Sequence, residues 1–574
     1  MKNRYQFSML LRYVGRRKWA VLAVLLASLI MCACEIAAPY LVGRAVDRII
    51  GPGQVDFAGV GQIIGLLAVL YLLDCLFVYL INLLSNIVAN HIVADIRKDA
   101  FAALSKMPLR YYDTTPHGDI ISRFINDCEA IADGLLQSVA VLFSGVITII
   151  STAVIMFCLN VIVTLTVIAS TSLTFVVAFF VTRNNNKHFQ AQQKVLGALN
   201  GTAEEMIGYC KTVKSQTAEQ EAFARFDWLN AELYVEGQRA QFAGSLTNPT
   251  TRFVNNFAYI LIGVVGGIFG GLTAGTVSSF IIYANQFAKP FNEITNLATQ
   301  ILSAYAAFGR VLAVISGRPE NTQGERPQQL AHIGRLSIED VSFSYNKKRP
   351  LIEHFSLDVA PGSKIAIVGP TGAGKTTLIN LLMRFYDVDD GRILLDGVDI
   401  KTLNRDVLRR EFAMVLQESW LFAGTVWENI AYSRPDATRE EIVAAAKAAH
   451  AHSFIMQLEN GYDTVLTDGD DLSAGQRQLL TIARAMLRPA SIIILDEATS
   501  SVDTLTEQRI NKGFSNILKG KTAFIIAHRL STILDADLIV VMRDGKIAET
   551  GTHAQLLQKN GVYAELYNSQ FKVS

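Results

Sequence analysis

The stretch KIAIVGPTGAGKTT, residues 364–377, decides the fold of the second half of this chain. Its first five residues are apolar or branched and predict a buried strand, and the rest match the pattern G-x-x-x-x-G-K-T. Glycines at such a turn let backbone N–H groups curl around phosphate oxygens, the lysine adds a positive charge, and the first threonine hydroxyl suits Mg²⁺. The predicted nucleotide contacts are Gly369, Pro370, Thr371, Gly372, Ala373, Gly374, Lys375, Thr376 and Thr377.

A second apolar strand, SIIILDEATS over 491–500, ends in two carboxylates. Asp496 is predicted to bind Mg²⁺, directly or through water, and Glu497 is predicted to orient the water that attacks a phosphate. An acidic pair at a strand end is weak evidence by itself, but this pair follows a phosphate-binding loop in the same half of the chain. The two stretches together predict hydrolysis of a nucleoside triphosphate.

Three further residues are predicted to face the same crevice. Gln417 follows the short apolar strand AMVL, and His528 follows the strand TAFII. Because the carboxyl ends of parallel strands meet at one edge of a sheet, both side chains should approach the phosphates. Tyr345, in VSFSYN, precedes the loop and is predicted to stack on adenine. The alternative for each of the three is an ordinary structural role.

The first half of the chain is predicted to be a membrane domain. Hydrophobic residues make up 51% of the 574 residues, the mean hydropathy is +0.29, and nearly all long apolar runs precede residue 318. A bilayer core is crossed by about 20 apolar residues of helix. The net charge of +1 gives no general attraction to nucleic acid. The candidate spans are 19–42, 57–84, 133–158, 160–182, 250–271 and 276–300.

The placement of charge predicts how these spans are oriented. Residues 1–34 carry six basic residues and no acid, and the segments 97–129 and 183–239 are rich in lysine and arginine. The loop GGIFGGLTAGTVSS carries no charge. Because positive charge is retained on the cytoplasmic side, both termini and the second half of the chain are predicted to be cytoplasmic. The chain is therefore predicted to be a multi-pass protein of the cell inner (cytoplasmic) membrane.

Two of the predicted helices are longer than a membrane is thick. No proline interrupts residues 57–106 or 160–207. A helix over 57–106 would be about 75 Å long, at 1.5 Å per residue, of which the bilayer takes about 30 Å. The remainder should project into the cytoplasm. The turns at 111–124 and 206–220 are predicted to touch the second half of the chain, the alternative being that they are ordinary loops.

The segment LSAGQ, residues 472–476, completes a pattern that resembles a known family. With the phosphate loop and the acidic pair, residues 335–574 resemble the nucleotide-binding domain of an ABC (ATP-binding cassette) transporter. The whole chain resembles an exporter half-transporter, with a membrane domain over 1–318 and a linker over 319–334. The implied fold is an α-helical membrane domain of six long transmembrane helices plus an α/β P-loop ATPase domain with a helical subdomain.

The resemblance implies ATP and Mg²⁺ as cofactors and a role for each motif residue. Thr376, Gln417 and Asp496 would contact Mg²⁺. Glu497 would be the catalytic base and His528 the switch histidine. Tyr345 matches the position that stacks on adenine. The four signature residues would face the γ-phosphate held by a second half-transporter, so that one chain cannot build a complete site. They are Ser473, Ala474, Gly475 and Gln476.

Two departures from the family pattern concern the partner. Ala474 stands where the usual LSGGQ has its first glycine, and TDGDD at 467–471 differs from the usual Glu-Arg-Gly. With Glu497 intact, this favours a heterodimer in which the partner lacks the matching carboxylate; a homodimer stays open. Two alternatives to an exporter remain: an importer-type use of the fold, and a half that binds ATP while its partner hydrolyses it.

The cargo is predicted only by class, as a hydrophobic or amphipathic small molecule, lipid or peptide crossing the bilayer. Polar side chains recur along one face of the sixth span, and two ionisable residues lie in other spans. Ionisable groups at membrane depth usually face a cavity or pair with one another. The alternatives are an internal ion pair such as Lys289 with Glu293, or a position in the aqueous vestibule. The residues of this stripe are Asn285, Lys289, Asn292 and Asn296, with Arg252 and Asp74.

Overall fold

In the computed structural model, the chain consists of two compact units. The first comprises Met1–Ser105 and His117–Gly317, and the second comprises Lys106–Pro116 and Arg318–Ser574. Residues 106–116, predicted as part of the membrane domain, therefore group with the ATPase unit. The structure describes residues 2–49, 55–268, 271–322, 324, 331–347, 349–467, 472–496, 503–526 and 533–570.

The described part of the first unit is entirely helical apart from short connections. Seven of its described helices are longer than 20 residues, and six of these seven overlap the six predicted spans. One π-helical turn, Arg123–Asp127, directly precedes α6. The helices are α1 (Lys2–Gly15), α2 (Lys18–Asp47), α3 (Phe57–Leu104), α5 (His117–Ser122), α6 (Cys128–Leu159), α7 (Val161–Gly208), α8 (Cys210–Ser215), α9 (Glu219–Ser245), α10 (Thr247–Ile268) and α11 (Ala274–Ile315); α4 (Leu109–Thr114) belongs to the second unit.

The lengths of α3 and α7 match the expectation of helices longer than a bilayer. Each has 48 residues, which corresponds to about 72 Å. Within the described residues, three helices are apolar over a window long enough to cross a membrane: α2, α3 and the 141–159 part of α6. Shorter apolar stretches occupy 161–177, 252–268 and 300–315.

Helices α2 and α11 are joined by a ladder of side-chain hydrogen bonds. Pro39 lies inside α2, and a proline leaves the carbonyl four residues earlier without its helical donor. That carbonyl, of Glu35, accepts from Gln286 Nε2 at 3.0 Å. One turn away, Tyr283 donates its hydroxyl to the carbonyl of Ile36 at 2.8 Å. The side chains of α11 thus complete the backbone hydrogen bonding that Pro39 disturbs.

The same two helices also approach closely where α2 ends and α11 begins. A Cβ on Gly275 would lie 2.0 Å from the carbonyl oxygen of Gly43, so neither position has room for a side chain. Asp47, the last residue of α2, accepts from the backbone N–H of Gly275 at 2.8 Å and from Thr273 Oγ1 at 2.7 Å. Its carboxylate therefore caps the first turn of α11, where the helix dipole favours negative charge.

The second unit is built on a six-stranded sheet of order β12-β11-β3-β10-β9-β6. All neighbours pair in parallel except β12, which is antiparallel to β11. A four-stranded antiparallel sheet, β2-β1-β4-β5, packs with it into one core. The strands are β1 (Leu336–Phe343), β2 (Ile352–Val359), β3 (Lys364–Val368), β4 (Asp390–Leu395), β5 (Val398–Asp399), β6 (Phe412–Val415), β7 (Gly424–Thr425), β8 (Val465–Leu466), β9 (Ile492–Asp496), β10 (Thr522–Ile526), β11 (Leu538–Arg543) and β12 (Lys546–Gly551).

The helices of this unit form two groups around the sheets. Four of them, with the small β7-β8 ladder, share a second core with one face of the parallel sheet and make up the expected helical subdomain. They are α14 (Val426–Ala431), α15 (Arg439–Ala448), α16 (His452–Ile455) and α17 (Ala474–Leu487); the others are α12 (Lys375–Leu382), α13 (Arg405–Arg410), α18 (Thr504–Ile517), α19 (His553–Lys559) and α20 (Val562–Gln570).

A cluster of ion pairs, which we call the linker clamp, fastens Glu320 to the ATPase core. Glu320 accepts from Arg405 at 2.5 Å and from Arg409 at 2.6 Å and 2.8 Å. Arg405 also pairs with Asp387 at 2.7 Å and is only 6% exposed. The backbone N–H of Glu320 donates to the carbonyl of Lys106 at 2.6 Å. The clamp therefore joins the start of the linker to residues 106–116 and to the sheet domain.

We expect Glu320→Gln to destabilise the ATPase unit by about 3 kcal/mol, because it leaves the buried Arg405 with fewer partners. Burial alone would raise the pKa of Glu320, but the hydrogen bonds and charges of Arg409 and Arg405 outweigh it and hold this pKa below its ordinary value. The ionised carboxylate thus stabilises the fold above its unfolded pKa of about 4.3, and that stability is lost as pH falls through the lower folded value.

Thermal unfolding of the full chain in detergent between pH 3 and pH 7 measures both effects. Glu353→Gln is the matched control, because it removes an exposed glutamate–lysine pair with Lys546. Such surface pairs contribute little to the free energy of unfolding. If Glu320→Gln unfolds at the same temperature and with the same pH dependence as the wild type, the clamp does not stabilise the unit.

Candidate nucleotide-binding site

The predicted phosphate loop connects β3 to α12, and three of its glycines have positive φ. The angles are +157° at Gly369, +85° at Gly372 and +99° at Gly374. A Cβ on Gly369 would lie 2.3 Å from the carbonyl oxygen of Met542, on the neighbouring strand β11. The loop therefore needs glycine both for its backbone conformation and for its approach to the sheet.

The ammonium group of Lys375 bridges the start of this loop. Its Nζ donates to the carbonyl of Gly369 at 2.7 Å and to that of Pro370 at 3.0 Å. Burial lowers the pKa of Lys375, and the carboxylate of Asp496 partly opposes this. A partly desolvated cation beside a glycine loop, whose backbone N–H groups can also bind anions, fits the charge of a nucleotide phosphate.

The register of the parallel strands brings Asp496 and Gln417 to the same edge of the sheet as the phosphate loop. Ile526, the last residue of β10, pairs with Ile367 of β3 on one side and with Asp496 of β9 on the other. Gln417 is exposed and lies two residues beyond the end of β6, the strand next to β9. Glu497 and His528, predicted to follow β9 and β10 directly, lie outside the described residues.

The two threonines after Lys375 differ in their surroundings. Thr376 is exposed at the start of α12, so its hydroxyl fits a metal bound beside the phosphates. Thr377 is 6% exposed, and its side chain belongs to the core. Only its backbone N–H suits a phosphate contact. Of the loop residues, Pro370, Thr371 and Gly372 are exposed, and Ala373 is buried.

Tyr345 lies in a cluster of three aromatic rings, which we call the adenine-side cluster. The ring meets Phe343 edge to face, with centroids 4.9 Å apart, and meets Tyr386 in the same way at 4.9 Å. The Tyr345 hydroxyl accepts from Asn380 Nδ2, on α12, at 3.2 Å. The side chain is 43% exposed, so part of the ring remains available for stacking on a base.

The signature segment forms the start of α17. Ser473 is the N-cap residue, and its Oγ accepts from the backbone N–H of Gln476 at 3.3 Å. The Gln476 side chain accepts from the backbone N–H of Ser473 at 2.9 Å, which completes a capping box. Ser473 and Ala474 are exposed, while Gly475 is buried. The Ala474 methyl therefore occupies solvent and does not disturb the helix start.

Comparison with known proteins gives two family matches in one chain. The ABC transporter transmembrane region matches residues 21–291, and the ABC transporter family matches residues 352–500. The uncharacterized ABC transporter ATP-binding protein YfiC of Bacillus subtilis (strain 168) is 38% identical over 565 residues, which cover 98% of this chain and 93% of that protein. The chain belongs to the ABC transporter family.

Two other relatives of this ABC transporter carry names that state a cargo. A fatty acid ABC transporter ATP-binding/permease protein of Mycobacterium tuberculosis (strain CDC 1551 / Oshkosh) is 40% identical, covering 90% of this chain and 82% of that protein. An ATP-dependent lipid A-core flippase of Vibrio vulnificus (strain YJ016) is 35% identical, covering 84% of each.

A solved structure of a bacterial Atm1-family ABC exporter with ATP bound matches this transporter with a TM-score of 0.78 and 30% identity. The match covers 97% of this chain and 99% of that one. The predicted family and fold class, an exporter-type membrane domain fused to a P-loop ATPase domain, are therefore confirmed. ATPase-coupled transport follows from the same family membership.

The predicted cargo stripe lies in the membrane helices of the transporter. Lys289 Nζ is 3.8 Å from Glu293 Oε1 and its side chain is 66% exposed, so the alternative of an internal pair is present at long distance. Asn285 and Arg252 are exposed, and Asp74 is half-buried. Asp74 Oδ1 is buried without a hydrogen-bond partner among the described residues. The side chains of Asn292 and Asn296 lie outside the described residues.

Sequence analysis missed the residues that support this site from behind. Met542 backs the phosphate loop, Asn380 and Tyr386 hold Tyr345, and Glu320 fastens the linker. These residues contact partners that are distant in the chain, so no local sequence motif predicts their role. The nearest signal is the position of Tyr386, four residues after the end of the helix that the phosphate loop begins.

Proposed function

We propose that this transporter is one half of an ATP-driven exporter that moves an amphipathic, lipid-like cargo across the cytoplasmic membrane by alternating access. The observation that carries the proposal is the Lys375 cation held across a glycine loop, at the same sheet edge as Asp496. The same chain carries two 48-residue helices that extend beyond a bilayer.

In this proposal each residue of the site has one task. The loop N–H groups and Lys375 bind the ATP phosphates, and Tyr345 supports the adenine ring. Thr376, Gln417 and Asp496 would hold Mg²⁺, which offsets the charge of the β- and γ-phosphates. Glu497 accepts a proton from the attacking water, and His528 contacts the γ-phosphate. Positioning and electrostatics supply the catalysis, because phosphoryl transfer needs little covalent chemistry from the protein.

The orientation follows from charge. Basic residues concentrate in 1–34, 97–129 and 183–239, which supports a cytoplasmic location for these segments, both termini and the ATPase domain. Inverted membrane vesicles test the direction of transport. Uptake of cargo into such vesicles on addition of MgATP supports export, whereas uptake into right-side-out vesicles with internal ATP supports the importer alternative.

The cargo class is inferred from the relatives. A fatty acid transporter and a lipid A-core flippase are both similar over most of this chain, and both names describe molecules with an acyl portion and a polar end. A lipid-like amphipath suits a stripe of polar side chains on otherwise apolar helices. We therefore expect lipids to stimulate ATP hydrolysis more strongly than soluble peptides do.

Neutralising the stripe should change the cargo profile more than the basal turnover. We expect Lys289→Met and Arg252→Gln, made singly, to alter which of a panel of lipids, drugs and peptides stimulates ATP hydrolysis, by about tenfold for an anionic lipid that loses a charged contact. Arg183→Gln, an exposed basic residue of α7, is the control. An unchanged profile combined with poorer folding would instead support the Lys289–Glu293 pair as purely structural.

The proposed dimer is a heterodimer. Glu497 is intact, while the signature carries Ala474, so a partner without the matching carboxylate would give one strong and one weak site. The strong site would combine this chain's phosphate loop with the partner's signature. The exposure of the Ala474 methyl keeps the backbone N–H groups of the helix start accessible, so a homodimer remains the alternative.

The heterodimer is tested by expressing this chain alone and with a neighbouring half-transporter. We expect the chain alone to show less than about a tenth of the ATP hydrolysis of the pair, since removing preorganised catalytic contacts typically costs at least tenfold. A stable and fully active dimer of this chain alone would refute the heterodimer. So would a partner whose own catalytic glutamate contributes equally to turnover.

A further inference from the structure

The segment that follows α12 is connected to residues 106–116 at two points, directly at the first and through Arg405 and Glu320 at the second. At the first, the Tyr386 hydroxyl donates to the carboxylate of Asp113, in α4. The Tyr386 ring, on its other side, packs edge to face against Tyr345, with an interplanar angle of 89°, and lies 5.6 Å from Phe343. One side chain thus touches both the predicted adenine support and the turn that connects α3 to α5.

The second point uses the next residue in the chain. Asp387 pairs with Arg405, Arg405 pairs with Glu320, and the backbone N–H of Glu320 donates to the carbonyl of Lys106. Tyr386 therefore contacts the 106–116 segment directly at Asp113, and Asp387 is linked to Lys106 through Arg405 and Glu320. The segment is fixed relative to α12, whose first turn carries Lys375.

We propose that Tyr386 is a positioning residue that transmits occupancy of the adenine pocket to the 106–116 segment. The inference rests on the proposed function, since it assumes that ATP binds at this site. A base stacked on Tyr345 restricts that ring. Tyr345 contacts Tyr386 along its edge, so the preferred position of Tyr386 changes with it, and the hydroxyl carries the change to Asp113.

The physical basis is a difference in contacts between two states. A ligand shifts a conformational equilibrium only as far as it binds the two states differently. Here the ring of Tyr386 contributes to ATP affinity by packing on Tyr345. Its hydroxyl couples the adenine pocket to the 106–116 segment by its hydrogen bond to Asp113. The two roles belong to different atoms of one side chain, and they can be removed separately.

Two variants of the full-length transporter separate these roles. Tyr386→Phe keeps the ring and removes the hydroxyl, and Tyr386→Leu removes the ring as well. We measure affinity for AMP-PNP with Mg²⁺ and, by hydrogen–deuterium exchange, the protection that AMP-PNP confers on residues 106–116. Tyr386→Phe should bind AMP-PNP with a Kd within twofold of the wild-type value. The protection that AMP-PNP confers on residues 106–116 should be at least fivefold smaller than in the wild type. Tyr386→Leu should in addition raise the Kd by about threefold to tenfold, as expected for loss of an aromatic pair.

Tyr462→Phe is the matched control, because it removes one tyrosine hydroxyl bond, to His452 at 2.9 Å, elsewhere in the ATPase unit. Asp113→Ala should reproduce Tyr386→Phe, and the double variant should be no worse than either. The proposal is overturned if AMP-PNP protects residues 106–116 of Tyr386→Phe as strongly as those of the wild type. It is also overturned if Tyr462→Phe loses as much of this protection as Tyr386→Phe does. Failure of the proposed function is distinct, since the wild type would then show no AMP-PNP binding.

Discussion

Glu497→Gln is expected to bind ATP with wild-type affinity and to hydrolyse it about 10²- to 10⁴-fold more slowly, the range typical for loss of a general base. Glutamine keeps the size and hydrogen-bonding capacity of the side chain but cannot accept the proton of the attacking water. ATP that binds and is not consumed should hold the two ATPase domains together, so a closed dimer should accumulate.

Single-turnover hydrolysis and size-exclusion chromatography or cross-linking with MgATP measure the two parts of this result. The matched control is Glu459→Gln, an exposed glutamate of the helical subdomain, which should leave both measurements unchanged. Within a dimer that binds ATP, normal hydrolysis by Glu497→Gln would show that the base is another residue. Loss of ATP binding would show that Glu497 has a binding role instead.

Lys375→Ala is expected to weaken ATP binding by about 10- to 100-fold and to abolish transport. A hydrogen bond to a charged group contributes about 1.5–3 kcal/mol, and this ammonium is already aligned across the loop by the carbonyls of Gly369 and Pro370. Because the loop conformation is set by its glycines and by Met542, the variant should fold normally.

Equilibrium binding of ATP and ATP-dependent transport, measured on the same preparation, test this expectation. Lys401→Ala removes an exposed lysine from the same unit and serves as the control for loss of one positive charge. If Lys375→Ala binds ATP as tightly as Lys401→Ala, the loop is not the phosphate site. If binding is weakened but transport persists at saturating ATP, Lys375 contributes to affinity alone.

The two variants separate binding from chemistry. Lys375→Ala should fail before the dimer closes, and Glu497→Gln should fail after it. A lower pKa for Lys375, caused by burial, means that its charged form is partly desolvated before ATP arrives. A triphosphate restores favourable electrostatics to that ammonium group, which is why removing it should weaken ATP binding.

Local motifs predicted the nucleotide site because each carries its own chemistry. GPTGAGKTT specifies a turn that only glycine-rich sequence adopts, and the apolar strands before Asp496 and Gln417 end where parallel strands must meet. The absence of proline from residues 57–106 and 160–207 predicted helices longer than a bilayer. Each of these features depends on residues adjacent in the chain.

Contacts between distant residues could not be predicted in this way. Glu320 meets Arg405 and Arg409 across more than 80 positions, and Asp113 meets Tyr386 across more than 270. The grouping of residues 106–116 with the ATPase unit depends on these contacts. No local feature of the sequence revealed this grouping, so the predicted membrane domain ran without a break to residue 318. The carbonyl of Glu35, left open by Pro39, likewise finds Gln286 on a helix distant in sequence.

The sequence by itself determined the family and the long helices, and it predicted which residues bind ATP, because helix-forming segments and turn chemistry depend on neighbouring residues. The tertiary structure alone decided what stands behind those residues: Met542 against Gly369, Asn380 and Tyr386 against Tyr345, and Glu320 in the linker clamp. Such supports depend on where distant strands and helices come together. Many side-chain types can pack at such a place, so the identity of the supporting residue leaves no signature in the surrounding chain.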